Sequence, residues 1–163
     1  MREQVACLAF AIWVGGVSVA CRHDAAENGT WIRGDPSVRW TTVARQLRGL
    51  DVAMVEIGYR YQELHWAGVD SNWEYADYQL KKIDLALENA LERRPKRRAS
   101  AEAVFAPSSR ELKQAIALKQ LPGFEEGFSG MTTACNSCHV SEGVASFYVE
   151  LPTDRRSSIR APR

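Results

Sequence analysis

The chain has 163 residues, a length that suits one folded domain whose core is large enough to be stable without disulfide bonds. Apolar residues make up 45% of the sequence, which is an ordinary share for a globular protein. The formal net charge is +1, from 21 basic and 20 acidic residues, so the overall charge does not indicate a nucleic-acid-binding protein.

The N-terminal segment is apolar and carries no charge from Val5 to Ala20. This run is shorter than the roughly 20 apolar residues that a membrane-spanning helix needs. Arg2 precedes it, and residues 18–20 provide the small side chains that are typical of a cleavage site. We therefore predict that residues 1–20 are a secretory signal peptide and that the mature protein is exported, for example to the periplasm.

A cysteine follows directly after this segment. Residues 18–21, Ser-Val-Ala-Cys, resemble a bacterial lipoprotein box, in which the cysteine receives lipid after cleavage. Plain cleavage after Ala20 and a lipid anchor at Cys21 are alternatives, and the second would tether the protein to a membrane. Residues 22–36 are rich in Asp, Asn, Gly and Arg without periodicity. The prediction for residues 21–40 is a flexible lead-in or a lipid tether.

Apolar residues recur at alternating steps of three and four along the middle of the chain, which is the spacing of an amphipathic helix. One such stripe covers residues 43–64 and is predicted to end near Gly68. A second covers residues 73–90 and stops before Pro95, because a proline cannot continue a helix. After this proline we expect a basic loop.

Two further helices are predicted in the second half of the chain. Ser108 or Ser109 is expected to cap a third, shorter helix, and Pro122 suits the first turn of a fourth. No convincing alternating pattern predicts a strand. The sequence therefore predicts an all-α fold, a four-helix bundle over residues 41–145, with residues 146–163 as a C-terminal tail.

The last predicted helix carries Cys135-Asn136-Ser137-Cys138-His139, the C-x-x-C-H pattern of covalent haem attachment. Residues three and four apart share one face of a helix, so Cys135, Cys138 and His139 project together. The two sulfurs can then add to the two vinyl groups of one haem, and His139 can reach the iron. The pattern predicts one covalent haem c, bound by these three residues, with His139 as an iron ligand.

Three other interpretations of the cysteine pair compete with haem. A redox-active dithiol normally begins a helix after a strand, and no strand pattern precedes Cys135. A zinc site needs further ligands, and the remaining histidines, His23 and His65, stand apart from each other. A buried pair without chemistry is the third interpretation. The export signal together with C-x-x-C-H favours haem.

The motif comes late in the chain and no methionine follows His139, a layout unlike that of the common small cytochrome c fold. Residues 40–143 instead resemble the class II c-type cytochromes, of the cytochrome c-prime kind. The resemblance implies a four-helix bundle with the haem motif on its last helix, and a homodimer, which relatives often form. Family members usually carry a basic residue shortly after the histidine, whereas residues 140–143 of this chain are Val-Ser-Glu-Gly.

The resemblance also implies that the first helix crosses the haem face opposite the histidine, where low-spin relatives place a methionine ligand. Met54 lies on the apolar stripe of the first helix and is the candidate for this metal-binding position. Met131 shares the helix of His139 and lies about 12 Å away along its axis, at 1.5 Å per residue. Core packing explains a methionine on a helical stripe equally well, so both interpretations of Met54 stay open.

The predicted function is electron transfer by an exported monohaem cytochrome, with no enzymatic activity and no nucleic-acid partner. The alternative is a gas-binding haem protein with an open or weakly held sixth iron position. Redox partner proteins are expected, and residues 93–98, Arg-Arg-Pro-Lys-Arg-Arg, would suit an acidic one. The end of a helix also explains these cations, since they complement the helix dipole there.

Overall fold

The computed structural model describes residues 31–161, and all regular structure in them is helical. The helices are α1 (Pro36–Gln46), α2 (Leu50–Val69), α3 (Trp73–Arg93), α4 (Arg98–Leu118) and α5 (Leu121–Ser141), with a 3₁₀ turn at Pro95–Arg97. The predicted all-α fold class is confirmed. None of the helices in this range is long and apolar enough to cross a membrane. The predicted signal peptide and Cys21 lie outside the described residues.

α1 occupies the end of the predicted lead-in. The Asp35 carboxylate caps it by accepting hydrogen bonds from the backbone N–H groups of Ser37 (2.9 Å) and Val38 (3.1 Å). Pro36 in the first position suits a helix start because its φ is already helical. Residues 36–40, predicted as lead-in, are therefore helical, although no residue of α1 is buried.

A break separates α1 from α2, where the sequence predicts one continuous helix over residues 43–64. Gly49, the residue before α2, is buried beneath the side chain of Arg94. A Cβ at Gly49 would lie 2.7 Å from the Arg94 Nε, so a larger residue at this position would displace the end of the Arg94 side chain. The prediction of one continuous helix was wrong. The apolar spacing continues across the break, so periodicity alone could not reveal it.

A tight turn joins α2 to α3. Ser71 has a left-handed conformation (φ 55°), and the Asn72 side chain caps α3 by accepting a hydrogen bond from the Tyr75 N–H (3.4 Å). α3 ends at Arg93, shortly before Pro95. The predicted second helix is thereby confirmed.

α4 is longer than predicted. It begins at Arg98, not at Ser108 or Ser109, so the prediction of a basic loop was wrong. Pro107 lies inside the helix and is exposed to solvent. The alanines around it are strong helix formers and offset the hydrogen bond that proline cannot make. Neither serine starts the helix, and the Ser109 hydroxyl donates to the Asp84 carboxylate of α3 (2.8 Å).

The four long helices enclose the core. α2 packs against α3 and α4 against α5, while α3 also contacts α4 and α2 contacts α5. Tyr61 stacks on Phe128 and Phe128 on Phe124, with ring centroids 4.6 and 5.8 Å apart. The main apolar core consists of Tyr61, Leu64, Ala67, Ala76, Leu80, Ile83, Leu112, Ala115, Ile116, Phe124, Phe128 and Met131.

The chain turns back along the helices after α5. Gly143 has a left-handed conformation (φ 74°) beyond the end of α5, and residues 144–161, which we call the C-terminal strap, form neither helix nor strand. The Val149 side chain packs against the core. Arg155 pairs with Asp70 (2.7 Å) at the C-terminal end of α2. The segment predicted as a tail is therefore packed on the helices over its described residues, 146–161.

Candidate functional site

The cysteine pair and the histidine lie in the last two turns of α5. Cys135, Cys138 and His139 are each partly buried, and Cys135 packs against the main core. They are three and four residues apart in a continuous helix, so their side chains leave the same side of α5. The structure thus brings together the three residues of the C-x-x-C-H pattern.

Four helix ends meet around these residues, at what we call the motif end of the molecule. Glu142, just beyond α5, pairs with Arg97 and accepts a hydrogen bond from the Ser100 hydroxyl near the start of α4. The Arg93 guanidinium at the end of α3 donates to the carbonyl of Arg48, just before α2 (2.8 Å). The start of α2 and the end of α3 therefore lie at the same end as the motif.

The surroundings of both thiols oppose ionisation. Burial, together with the nearby Cys138, raises the pKa of Cys135 to about 11. Burial also raises the pKa of Cys138, although the charge of Arg97 acts in the opposite direction. A redox-active dithiol needs a thiol whose pKa is lowered, for example by a helix N-terminus, whereas this pair lies at a helix C-terminus. The geometry therefore weighs against dithiol exchange.

A backbone carbonyl of the strap orients the histidine. The Nδ1 atom of His139 lies 2.5 Å from the carbonyl oxygen of Phe147. A carbonyl oxygen only accepts hydrogen bonds, so Nδ1 carries the proton and the lone pair of Nε2 is left for another partner. Metal-ligating histidines commonly have this arrangement, with one ring nitrogen on the metal and the other held by an acceptor.

The buried side chains toward the motif end are mostly small. The main core reaches as far as Cys135, which packs on its edge. Beyond it the buried apolar residues are Ala53 of α2, Ala90 of α3 and Ala101 of α4, together with the larger Leu91. Methyl groups occupy much less volume than the phenylalanines and leucines of the main core. Two thiols and an imidazole on one side of a helix are the donor set that covalent haem attachment uses, and the chemistry of these three residues fits that group.

Met54 is half-buried on α2, at the level of His139. The Tyr61 hydroxyl of α2 lies 2.7 Å from the Thr132 hydroxyl of α5, and other contacts show that the two helices run antiparallel. Two turns from Tyr61 toward the start of α2 lead to Met54, and two turns from Thr132 toward the end of α5 lead to His139. Both iron ligation and core packing are consistent with this position.

His65 lies away from the motif end. Its ring centroid is 5.0 Å from that of Phe128 and 4.7 Å from that of Trp66. Burial, with a smaller contribution from the charge of Arg155, lowers the pKa of His65. His65 is about 16 Å from Met54 along α2, at 1.5 Å per residue. It therefore packs in the opposite half of the molecule from the C-x-x-C-H residues.

Sequence reasoning missed two contributions to the site. Asn136, one of the unspecified positions of the pattern, donates from Nδ2 to the Val149 carbonyl (2.9 Å) and accepts from the Val149 N–H (2.8 Å). Phe147 supplies the carbonyl that bonds to His139. Both contacts use backbone atoms of the strap, so no side-chain pattern could indicate them. The only sequence signal for these contacts was the amide side chain of Asn136 inside the motif.

Comparisons with known proteins found no relative of this chain. No protein-family model matches the chain, and no curated protein or solved structure gives a significant match. Within residues 31–161, no three His, Cys, Asp or Glu side chains are grouped so that they could hold a metal ion. A haem iron takes four of its ligands from the macrocycle, so it does not require such a group.

Proposed function

We propose that this protein is an exported c-type cytochrome that carries one haem c on α5 and acts in electron transfer. The observation that carries the proposal is the position of Cys135, Cys138 and His139 on one side of α5, with Nε2 of His139 left free by the strap. In this proposal α2, α3, α4 and α5 are the four helices of a haem-binding bundle.

Each residue of the motif has its own part in the proposal. Cys135 and Cys138 would hold the haem through thioether bonds, each made by adding a thiol S–H across one vinyl group. His139 would bind the iron through Nε2, with its Nδ1–H on the carbonyl of Phe147. The haem supplies one-electron chemistry at its iron. The helices around the haem would limit its contact with water and thereby influence its reduction potential.

Export belongs to the same proposal, because haem of this kind is attached outside the cytoplasm in bacteria. Cleavage after Ala20 would leave a mature chain that begins at Cys21, either as a periplasmic protein or as a lipid-anchored one. The proposed partners are redox proteins that approach the motif end, where the haem would be attached.

Removal of both thiols tests the attachment. The full chain, exported in a bacterial host that attaches haem, should keep its haem colour in a denaturing gel, because thioether bonds survive denaturation. The Cys135→Ala/Cys138→Ala double variant should lose this colour, since coordination alone does not survive. Ser137→Ala is the matched control: the Ser137 hydroxyl donates to the Thr133 carbonyl within α5 (2.9 Å), and this variant should stay coloured.

Two results of this experiment would count against the proposal. One is a wild-type band without haem colour, which would show that the chain takes up no covalent haem. The other is a double variant that keeps its colour after denaturation, which would mean that the two cysteines are not the attachment points.

The gas-binding alternative differs only in the sixth position of the iron. A closed position suits electron transfer, whereas an open one admits carbon monoxide or nitric oxide. Met54 lies on the helix opposite α5 and level with His139, where a thioether could close the site. This position is the reason that we prefer electron transfer to gas binding.

A further inference from the structure

The C-terminal strap is anchored far from the motif as well as near it. Arg155 donates to the Asp70 carboxylate (2.7 Å) and to the Trp66 carbonyl (3.0 Å), and its guanidinium lies 4.8 Å from the centre of the Trp66 ring. The Tyr61 hydroxyl donates to the carbonyl of Glu150 (3.2 Å). The strap therefore follows a defined path over α2 and α5.

At the motif end the strap is held by the motif itself. Asn136 and Val149 exchange two hydrogen bonds, of 2.9 and 2.8 Å, which form a clamp between α5 and the strap. Two residues earlier in the strap, the Phe147 carbonyl accepts the bond from Nδ1 of His139 (2.5 Å). Asn136 and His139 are three residues apart on α5 and so lie side by side. One short piece of backbone thus contacts both residues.

The backbone of this piece is held more firmly than its side chains. The side chains of Phe147 and Tyr148 are 66% and 69% exposed, so they bury little area that could hold the segment in place. Val149 follows them and is bound to Asn136 through both its N–H and its carbonyl. The clamp at Asn136 and the packing of the Val149 side chain hold the strap on one side of the Phe147 carbonyl. On the other side, the Val144 N–H donates to the His139 carbonyl (2.8 Å) and the Phe147 N–H to the Val144 carbonyl (2.9 Å), so the clamp is one of the contacts that fix this carbonyl.

We propose that Asn136 is a positioning residue for the haem ligand and acts through the strap. By holding Val149, it places the Phe147 carbonyl where only the Nδ1–H tautomer of His139 can bond to it. The ring is thereby oriented with the lone pair of Nε2 available to a metal. This inference rests on the proposed function, since it assigns the iron to Nε2 of His139.

The clamp should also influence the reduction potential. An acceptor on Nδ1 makes Nε2 a stronger electron donor to a bound metal. A stronger donor stabilises the oxidised iron more than the reduced iron, so the bond to Phe147 lowers the potential. Loss of the clamp should therefore raise the potential without removing either thioether bond.

The first test needs no haem. In the full chain made without haem attachment, nitrogen-15 NMR should find His139 in the Nδ1–H tautomer, and the Val149 amide should be protected from hydrogen exchange. Asn136→Ala should speed exchange at Val149 by about fivefold or more, the factor expected for a lost hydrogen bond, and weaken the tautomer preference. Ser137→Ala, the matched control at the neighbouring position, should change neither reading.

The second test uses the haem-loaded protein. Asn136→Ala should have a higher midpoint potential than the wild type and than Ser137→Ala. An Asn136→Ala protein with the wild-type potential and faster exchange at Val149 would show that the strap is structural only, and would overturn the inference.

Failure of this inference can be told apart from failure of the proposed function. A wild-type chain that attaches no haem refutes the function, while the tautomer measurement still decides whether the strap orients His139. If His139 is in the Nε2–H tautomer in the wild-type chain, the positioning role is wrong whether or not haem is bound.

Discussion

His139 and Met54 approach the motif end from two different helices, α5 and α2. The imidazole nitrogen is a strong donor to haem iron, and a thioether sulfur is a weaker one that raises the reduction potential. A histidine and a methionine together close the iron to small gases, whereas a histidine alone leaves one position open. At the residue scale, the side chain at position 54 would therefore decide between electron transfer and gas binding in the proposed haem protein.

Met54→Leu tests this role, because leucine keeps a similar volume while removing the sulfur. Such exchanges in a core usually cost less than about 1.5 kcal/mol, so the variant should fold. If the sulfur binds iron, the haem-loaded variant should lose its low-spin spectrum and gain carbon monoxide binding. Met131→Leu is the matched control, since Met131 is buried in the main core, and its spectrum should match the wild type. A wild-type protein that is already high-spin and binds carbon monoxide would favour the gas-binding function instead.

At the scale of a single element, α2 contacts both the main core and the motif end. Two of its glycines have opposite surroundings. Gly68 is buried where α2 approaches α5, and a Cβ there would overlap the ring of Phe124. Gly58 is exposed, and a Cβ there would meet no atom within 4 Å. The close contact at Gly68 helps to set the register that brings Met54 level with His139.

The two glycines provide a matched pair of alanine substitutions. Gly68→Ala should lower the free energy of unfolding by about 1–3 kcal/mol, because the added methyl group forces α2 and α5 apart. Gly58→Ala should raise it by about 0.5–1 kcal/mol, because alanine is the better helix former. Thermal unfolding should show shifts of about 2–4 °C per kcal/mol in opposite directions. Equal effects of the two substitutions would mean that the helices do not pack closely at Gly68.

On the scale of the whole molecule, the run of five basic residues between positions 93 and 98 lies at the motif end. Part of this charge is neutralised locally, since Arg97 pairs with Glu142 and Arg98 pairs with Glu88 (2.8 Å). Arg93 lies in the last turn of α3, where a cation complements the helix dipole. Arg94 and Lys96 are exposed, so they are the cations of residues 93–98 best placed to meet an approaching partner.

A small ionic oxidant can measure the effect of these charges without an identified partner. Oxidation of the reduced protein by ferricyanide, an anion, should be slower for Arg94→Gln/Lys96→Gln than for the wild type. Oxidation by hexaammineruthenium(III), a cation, should be faster, because removing positive charge lowers its repulsion. Both effects should be clear near 0.1 M ionic strength, where charges act over about 10 Å, and should shrink in 1 M salt.

Lys119→Gln/Arg156→Gln is the control for this experiment, because it removes the same total charge. Lys119 follows the end of α4 and Arg156 lies in the strap beside Arg155, so both are at the opposite end of the molecule. A helix of 20 residues spans about 30 Å, well beyond the screening distance. Equal slowing by the two double variants would show that the motif end is no special docking surface.

Local patterns predicted a large part of the fold. The stripe over residues 73–90 predicted α3, and Pro122 marked the start of α5, because apolar periodicity and proline act within a few turns of the chain. The same reasoning failed at residues 47–49 and at the start of α4. At residues 47–49 the periodicity predicted one continuous helix, but the helix is broken where Gly49 packs beneath Arg94. Before α4 the proline predicted a loop, but the neighbouring alanines favour a helix that begins at Arg98.

By itself, the sequence determined that the chain is helical and that Cys135, Cys138 and His139 share one face, since both follow from spacing along a single helix. Only the tertiary structure decided what surrounds that face. The burial of Gly49 by Arg94 joins residues 45 positions apart, and the clamp between Asn136 and Val149 joins a helix to the backbone that folds back on it 13 positions later. Such contacts depend on how the helices pack and where the backbone returns, which no local pattern records.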